Sequence, residues 1–241
     1  MPPKKKPQKP DRAPNLLHGG KSSDTCPRCR YARNKKDKGG KLLHGIPEVT
    51  DSAQLRNVLV TIDHNLRQDQ DLINNPKASF MMGALEARIS GGEHFLIASS
   101  GSPNAEEPWT ARWIQDKHLA GISYHEGAWK TVNPRLPEDH TGWVTVRGER
   151  VDLDPQHRGL KKGCAAVKLL LGLGEKQLPW NSVDYLRMSE MVYVGPEADH
   201  TRMRPWHGQG ATNSWTAHSC DACQARIPYL ICDVPANRIV D

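Results

Sequence analysis

Apolar residues recur at helical spacing between residues 51 and 75, the first strongly patterned stretch of the chain. The positions that share one helical face are Leu55, Val58, Leu59, Ile62 and Leu66. Asp51 or Ser52 precedes them as a candidate N-cap, and Pro76 prevents any continuation. The pattern therefore predicts one helix in this region.

Strand patterns begin further along the chain. Residues 78–101 contain two apolar runs separated by Ser-Gly-Gly at 90–92, which is typical of a β-hairpin with a glycine turn. Helical spacing follows at residues 159–173, a strand pattern at 188–195, and a second helical pattern from residue 220 or 221 to about 227. Alternating helices and strands predict an α/β domain.

Composition changes divide the chain into three parts. Residues 1–12 read MPPKKKPQKPDR, a mixture of proline and charge with nothing to bury, so we predict a disordered basic tail. Residues 13–75 form an N-terminal extension that contains the predicted helix and a candidate zinc knuckle. We assign residues 76–241 to the principal domain.

Charge and hydropathy narrow the class of protein. The 241 residues carry a formal net charge of +6, which is compatible with a nucleic-acid partner. No apolar run approaches the ~20 residues of a transmembrane helix, so we expect no membrane partner. The first residues form no apolar stretch of the secretory kind, and we therefore expect a cytoplasmic or nuclear protein.

Six cysteines are too few for a disulfide scaffold at this length, and four of them form two C-x-x-C pairs. Cys26 and Cys29 are the first pair, which could bind a structural zinc with two further ligands; His18 and His44 are in range. A pair of surface thiols in a loop is the equally weighted alternative. We interpret Cys232 as a buried apolar thiol.

Cys220 and Cys223 form the second pair and open one predicted helix, while Cys164 opens another. A helix N-terminus favours an anionic thiolate, and the C-x-x-C spacing lets two thiolates bind one metal. The three cysteines predict a Zn²⁺ site whose fourth position is left for water. The alternative is a closed, non-catalytic site built by Cys26, Cys29, Cys220 and Cys223, with Cys164 in the core.

The order of these motifs resembles the zinc-dependent cytidine deaminase superfamily, in which a helix opening His/Cys-x-Glu, a strand and a helix opening Pro-Cys-x-x-Cys follow one another. Here the two helices open with Cys164-Ala165-Ala166 and with Ser219-Cys220-Asp221-Ala222-Cys223, and the upstream hairpin resembles the first strands of deaminase domains in bacterial toxins. The resemblance covers roughly residues 78–232. It implies a three-layer α/β fold: a mixed central sheet of about five strands with helices on both faces.

The resemblance also implies an activity. A member would bind Zn²⁺ through Cys164, Cys220 and Cys223 and convert cytosine in nucleic acid to uracil, with DNA favoured over RNA. Trp215 and His218 would border the substrate pocket, with a base stacked on Trp215. The alternatives are a free nucleoside or nucleotide as substrate, and a non-catalytic zinc module that binds nucleic acid. Delivery as a toxin is a further implication of the bacterial members.

Ala166 departs from the family pattern because it occupies the position of the glutamate that acts as general acid and base. Alanine has no titratable group, so we expect this chain to bind zinc but to turn over very slowly or not at all. The intact flanking residues favour an introduced Glu→Ala substitution over a natural pseudoenzyme. Ser219, where the family has proline, is a smaller departure.

Overall fold

The computed structural model describes residues 17–19, 23–101, 114–154, 163–180, 182–199, 215–216 and 219–234. The predicted tail at 1–12 and His218 lie outside the described residues. Within them the strands are β1 Leu17–His18, β2 Val49–Thr50, β3 Ser79–Ile89, β4 Gly92–Ser99, β5 Trp129–Thr131, β6 Trp143–Val144, β7 Arg150–Val151, β8 Val183–Val194 and β9 Trp215–Thr216. The helices are α1 Ala53–Leu66, α2 Gln70–Ile73, α3 Ala165–Gly174 and α4 Asp221–Ile231, with a 3₁₀ turn at Asp116–Leu119. No helix among the described residues has the length and apolar character needed to cross a membrane.

Seven of the described strands form one sheet in the order β1-β2-β8-β3-β4-β5, and β9 also pairs with β8. The β2–β8 and β4–β5 pairs are parallel, whereas the other pairs are antiparallel. The predicted α/β class with a mixed sheet is therefore confirmed. Because β1 and β2 precede residue 76, the N-terminal extension contributes strands to the central sheet.

The predicted hairpin is present as β3 and β4, which pair from Met82–Ser99 to Ile89–Gly92. Ser90 and Gly91 form the turn with φ of 50° and 80°, a conformation whose twist matches that of paired strands. β8 pairs along β3 and begins at Val183, five residues before the predicted strand. The polar residues at the start of β8 hide its pattern in the sequence, but pairing with β3 holds them in the sheet.

Side chains of β3 alternate between two helical layers. Phe80 and Met82 pack with α1 on one face, while Leu85 and Ala87 pack with α3 and α4 on the other. Helices therefore cover both faces of the sheet, as predicted. The predicted apolar face is the buried face of α1, and the side chain of Ser52 caps this helix.

A glycine in β3 lets α3 lie close to the sheet. A Cβ added at Gly83 would lie 2.7 Å from Leu169 Cδ1 and 3.4 Å from the Cβ of Ala165. This close approach places the first turn of α3 against the centre of the sheet. Cys164 is the N-cap of that turn.

α4 is longer than the sequence predicts. Pro228 favours an end at Ile227, yet the helix continues to Ile231. Ile227, Leu230 and Ile231 are fully buried, and we attribute the extension to this burial, which outweighs the hydrogen bond that proline cannot donate. The extra turn brings Cys232, the C-cap, to the far end of the helix.

Candidate metal centres

Two groups of side chains that could hold a metal ion occur among the described residues, and helix α4 contributes to both. The first, the three-thiol cluster, consists of Cys164, Cys220 and Cys223. The second, the four-ligand cluster, consists of Cys26, Cys29, His44 and Cys232. Within each cluster all the ligand atoms lie within 4.8 Å of one another.

The three-thiol cluster lies between the N-termini of two helices on the same face of the sheet. Cys164 is the N-cap of α3, Cys220 is the N-cap of α4, and Cys223 lies in the first turn of α4. The Sγ atoms of Cys164 and Cys220 are 3.8 Å apart. In a tetrahedral zinc site with Zn–S bonds of ~2.3 Å, two sulfurs are about 3.8 Å apart. The donors therefore fit zinc.

Hydrogen bonds among the thiols separate their pKa values. Those from Cys164 and Cys223 lower the pKa of Cys220 to about 2. The pKa of Cys164 rises to about 12, chiefly through its hydrogen bond with Cys220. The pKa of the buried Cys223 is raised well above its usual value by hydrogen bonds with both and by its burial. Without metal the cluster thus favours one thiolate that accepts from two thiols.

A buried guanidinium lies against this cluster. Arg226, one turn along α4, donates from Nη2 to Cys164 Sγ at 3.1 Å and from Nε to the carbonyl oxygen of Ala222 at 3.2 Å. Its guanidinium lies over the ring of Trp143, 5.5 Å from the centroid. One guanidinium offsets the single negative charge that remains when three thiolates bind a divalent cation.

A second buried cation lies one turn into α3. Lys168 Nζ donates to the backbone oxygen of Ser99 at 2.9 Å and to Asn133 Oδ1 at 2.7 Å. Burial lowers the pKa of Lys168 to about 8, against the opposing effect of the Cys164 charge. Lys168 therefore links α3 to the carboxyl ends of β4 and β5.

Ala166 is completely buried in the core. Because the residue is alanine, the expected position of the general acid and base carries no titratable group. Trp215 lies in β9 and pairs through its backbone with Val192; this strand runs beside β8, and the predicted base-stacking role of the side chain stays a prediction. His218 is not among the described residues.

One buried carboxylate lies on the same sheet face as the three-thiol cluster. Glu190 is opposite Gly83 in the β3–β8 register and is 2% exposed. Its Oε2 lies 3.2 Å from Nδ1 of His18. The sequence makes His18 a candidate zinc ligand in range of Cys26 and Cys29, whereas the structure pairs it with this carboxylate.

The four-ligand cluster joins three separate parts of the chain. Cys26 and Cys29 come from the knuckle, His44 from the loop before β2, and Cys232 from the end of α4. Cys29 Sγ lies 3.3 Å from His44 Nδ1, close to the separation of about 3.5 Å expected for two ligands of one zinc. The interpretation of Cys232 as a buried apolar thiol is wrong, because the residue is only partly buried and its sulfur lies among these ligands.

Backbone geometry around Cys26 supports its thiolate. The N–H of Arg28 donates to Cys26 Sγ at 3.3 Å, and the N–H of Arg30 donates to the Cys26 carbonyl at 2.9 Å. Arg30 has φ of 65°, which turns the chain back at the knuckle. A hydrogen bond from Cys232 is the largest of several effects that lower the pKa of Cys26 to about 3.

The closed alternative considered from the sequence does not form. Cys26 and Cys29 lie in one cluster, while Cys220 and Cys223 lie in the other. A cavity of about 320 Å³ lies at the carboxyl ends of β4 and β5, and its described lining residues, which include Ser99, Gln115 and Asn133, contain no cysteine. Because the three-thiol cluster brings together three candidate ligands and the other cluster four, the three-thiol cluster is the candidate for a metal with an open position.

Comparisons with known proteins identify no relative: no family model, no curated protein and no solved structure matches the chain.

Proposed function

We propose that this chain is a zinc-binding, deaminase-like protein that engages cytosine in nucleic acid, DNA in preference to RNA, and that Ala166 leaves it without turnover. The observation that carries the proposal is the convergence of Cys164, Cys220 and Cys223 from two helix N-termini. Three protein ligands leave one position of a tetrahedral zinc free, which is the arrangement of catalytic rather than structural sites.

The order of the elements supports this proposal. A hairpin is followed by a helix that begins at Cys164, by a strand paired to that hairpin, and by a helix that begins at Cys220. The deaminase superfamily places its ligands on two such helices separated by a strand. The net charge of +6 favours a polyanionic substrate over a free nucleoside.

The chemistry divides between the metal and a carboxylate. When bound, zinc supplies a Lewis acid that lowers the pKa of water to about 7. A carboxylate at position 166 would accept a proton from water and deliver it to the leaving amine. Water adds to C4 of cytosine as the C4–N bond breaks, so the products are uracil and ammonia.

The decisive experiment is to install the missing carboxylate. In Ala166→Glu we expect conversion of cytosine to uracil to rise at least ~10²-fold over the parent chain, the usual range for a general acid and base. Ala166→Gln is the matched control, since it has the same size and hydrogen-bonding reach without a titratable carboxylate. Single- and double-stranded DNA, RNA and cytidine are assayed side by side to identify the substrate.

Ala166→Gln also shows whether the buried position 166 tolerates a side chain of this size. If both variants fold and neither forms uracil from any substrate, the deaminase proposal is wrong. If both unfold, zinc and oligonucleotide binding by the parent chain still test the binding part of the proposal. Zinc at the three-thiol cluster without salt-dependent nucleic-acid binding would also reject the proposal.

Complete burial of Ala166 favours a second candidate, a zinc module that binds nucleic acid without catalysis. A core position that evolved as alanine has no room prepared for a carboxylate. This candidate predicts oligonucleotide binding by the parent chain, weakened by salt, and no uracil in Ala166→Glu.

A further inference from the structure

We propose that the four-ligand cluster binds a structural zinc that fixes residues 23–45 to the end of α4, and that this zinc strengthens metal binding at the three-thiol cluster at the other end of the helix. The proposal rests on the zinc-binding part of the proposed function and not on deamination. It concerns a second metal and the coupling of two sites through one helix.

The chemistry of the ligands indicates a closed site. Three thiol sulfurs and one imidazole nitrogen lie within 4.8 Å of one another, and three cysteines with one histidine are a usual ligand set of structural zinc. Cys26 and His44 are at most 1% exposed. Four protein ligands complete the tetrahedron, so no position remains for a substrate.

The segment that supplies three of these ligands has almost no core of its own. Between residues 23 and 45, the hydrophobic residue in the core is Cys26. Among the larger apolar side chains, Tyr31 and Leu43 are 47% and 39% exposed and Leu42 is half-buried. Since burial cannot order such a segment, metal binding has to provide the free energy, as in small zinc domains.

Direct contacts fix this segment to the end of α4. The N–H of Gly45 donates to the carbonyl of Cys232 at 2.8 Å, and Arg28 Nη1 lies 3.3 Å from Asp233 Oδ2. A Cβ at Gly45 would lie 2.6 Å from the oxygen of Cys232 and 2.4 Å from that of Val234. The two backbones are therefore in contact beside the proposed zinc.

Helix α4 connects the two clusters. Cys220 and Cys223 lie at its first turn and Cys232 is its C-cap, a separation of about 18 Å at 1.5 Å per residue. Pro228 inside the helix removes one backbone hydrogen bond. A zinc that fixes Cys232 at one end of this helix restricts the position of the whole helix. The same helix presents Cys220 and Cys223 to the other metal at its opposite end.

The test compares ligand variants of the full chain, purified with zinc. We expect two zinc ions in the parent chain and one in Cys29→Ser. In a competition titration with a chromogenic chelator, zinc at the three-thiol cluster should bind at least ~10-fold more weakly in Cys29→Ser than in the parent chain. Cys164→Ser is the matched control: it removes one ligand of the other cluster and should keep one tightly bound zinc. Cys232→Ser repeats the first measurement in case Cys29→Ser fails to fold.

Trypsin reports on the segment itself. Lys35, Lys36, Lys38 and Lys41 are exposed within it, so they are cleaved as soon as the segment leaves α4. We expect slow cleavage in the parent chain and in Cys164→Ser, and cleavage at least ~10-fold faster in Cys29→Ser and Cys232→Ser.

Three results would overturn the proposal: one zinc in the parent chain, equal trypsin cleavage in all variants, or an unchanged zinc affinity of the three-thiol cluster in Cys29→Ser. None of these readouts involves deamination. An inactive Ala166→Glu variant with two coupled zinc ions would remove the deaminase proposal and leave this one standing.

Discussion

The two cysteine clusters differ in how the fold supports them. The three-thiol cluster lies between two helix N-termini that pack on the central sheet, with the buried cation of Arg226 against it. The four-ligand cluster gathers loop residues and one helix end, in a segment with little core of its own. The fold therefore holds the ligands of the first cluster together without a metal of its own, whereas the second depends on its own metal for its order. A metal site with an open coordination position needs a surrounding core that already fixes its ligands.

Stepwise removal of metal gives the largest contrast between the clusters. Chelators of rising strength should first remove zinc from the three-thiol cluster, with little change in the unfolding midpoint. Removal of the second zinc should lower the free energy of unfolding by more than about 3 kcal/mol, since metal binding there is folding free energy. Calorimetry with zinc analysis at each step is the measurement. Simultaneous loss of both ions, or unfolding at the first step, would contradict this contrast.

The sequence predicts the first cluster far better than the second, and the reason is spacing. Cys220 and Cys223 belong to one C-x-x-C motif, and Cys164 begins another helix. The motif and the preference of helix N-termini for thiolates are enough to group the three cysteines. His44 and Cys232 join Cys26 and Cys29 only through tertiary contacts. Cys232 follows the second pair at no recognisable spacing and lies beyond Pro228, where the sequence predicts no helix.

The fold shows the same division. The apolar face of α1, the Ser52 cap and the Ser90-Gly91 turn are local, and each is predicted. The pairing of β8 with β3 beyond the apolar run and the addition of β1 and β2 to the sheet are long-range events. No periodicity encodes β1 and β2, because two-residue strands have none, and the polar residues at the start of β8 hide its pattern.

Two glycine substitutions compare the rigidity of the backbone at the two clusters. In Gly45→Ala the new methyl meets backbone oxygens of Val234 and Cys232, which cannot move without displacing the end of α4. We expect a loss of about 2–3 kcal/mol in unfolding free energy. In Gly83→Ala the methyl meets the flexible end of Leu169, and about 1 kcal/mol is expected. Urea unfolding measures both, and a greater loss for Gly83→Ala would reverse our assignment of the tighter contact.

Two arginine substitutions compare the charges beside the clusters. Arg226→Met removes the buried guanidinium from Cys164, and we expect zinc at the three-thiol cluster to bind about 10–100-fold more weakly, as for other groups that contact metal ligands. Arg28→Met removes a partly exposed ion pair with Asp233 and should change the zinc affinity of the four-ligand cluster less than about 3-fold. Chelator competition measures both affinities. Equal losses of zinc affinity in the two variants would show that burial of the arginine does not determine its contribution to metal binding.

The buried cation Lys168 should make the stability of the folded chain depend on pH. Burial lowers its pKa from 10.5 to about 8 in the folded chain. Between these two values the unfolded chain holds a proton that the folded chain has released, so stability rises with pH across this window. Below about pH 8 both states are charged and the cost of burying the ammonium is constant. Relative to Lys168→Met, the parent chain should therefore gain at most about 1.4 kcal/mol per pH unit. Urea unfolding of the pair at pH 7.5 to 10.5 cancels the titration of shared groups, and a flat or falling difference would show that Lys168 stays charged within the core.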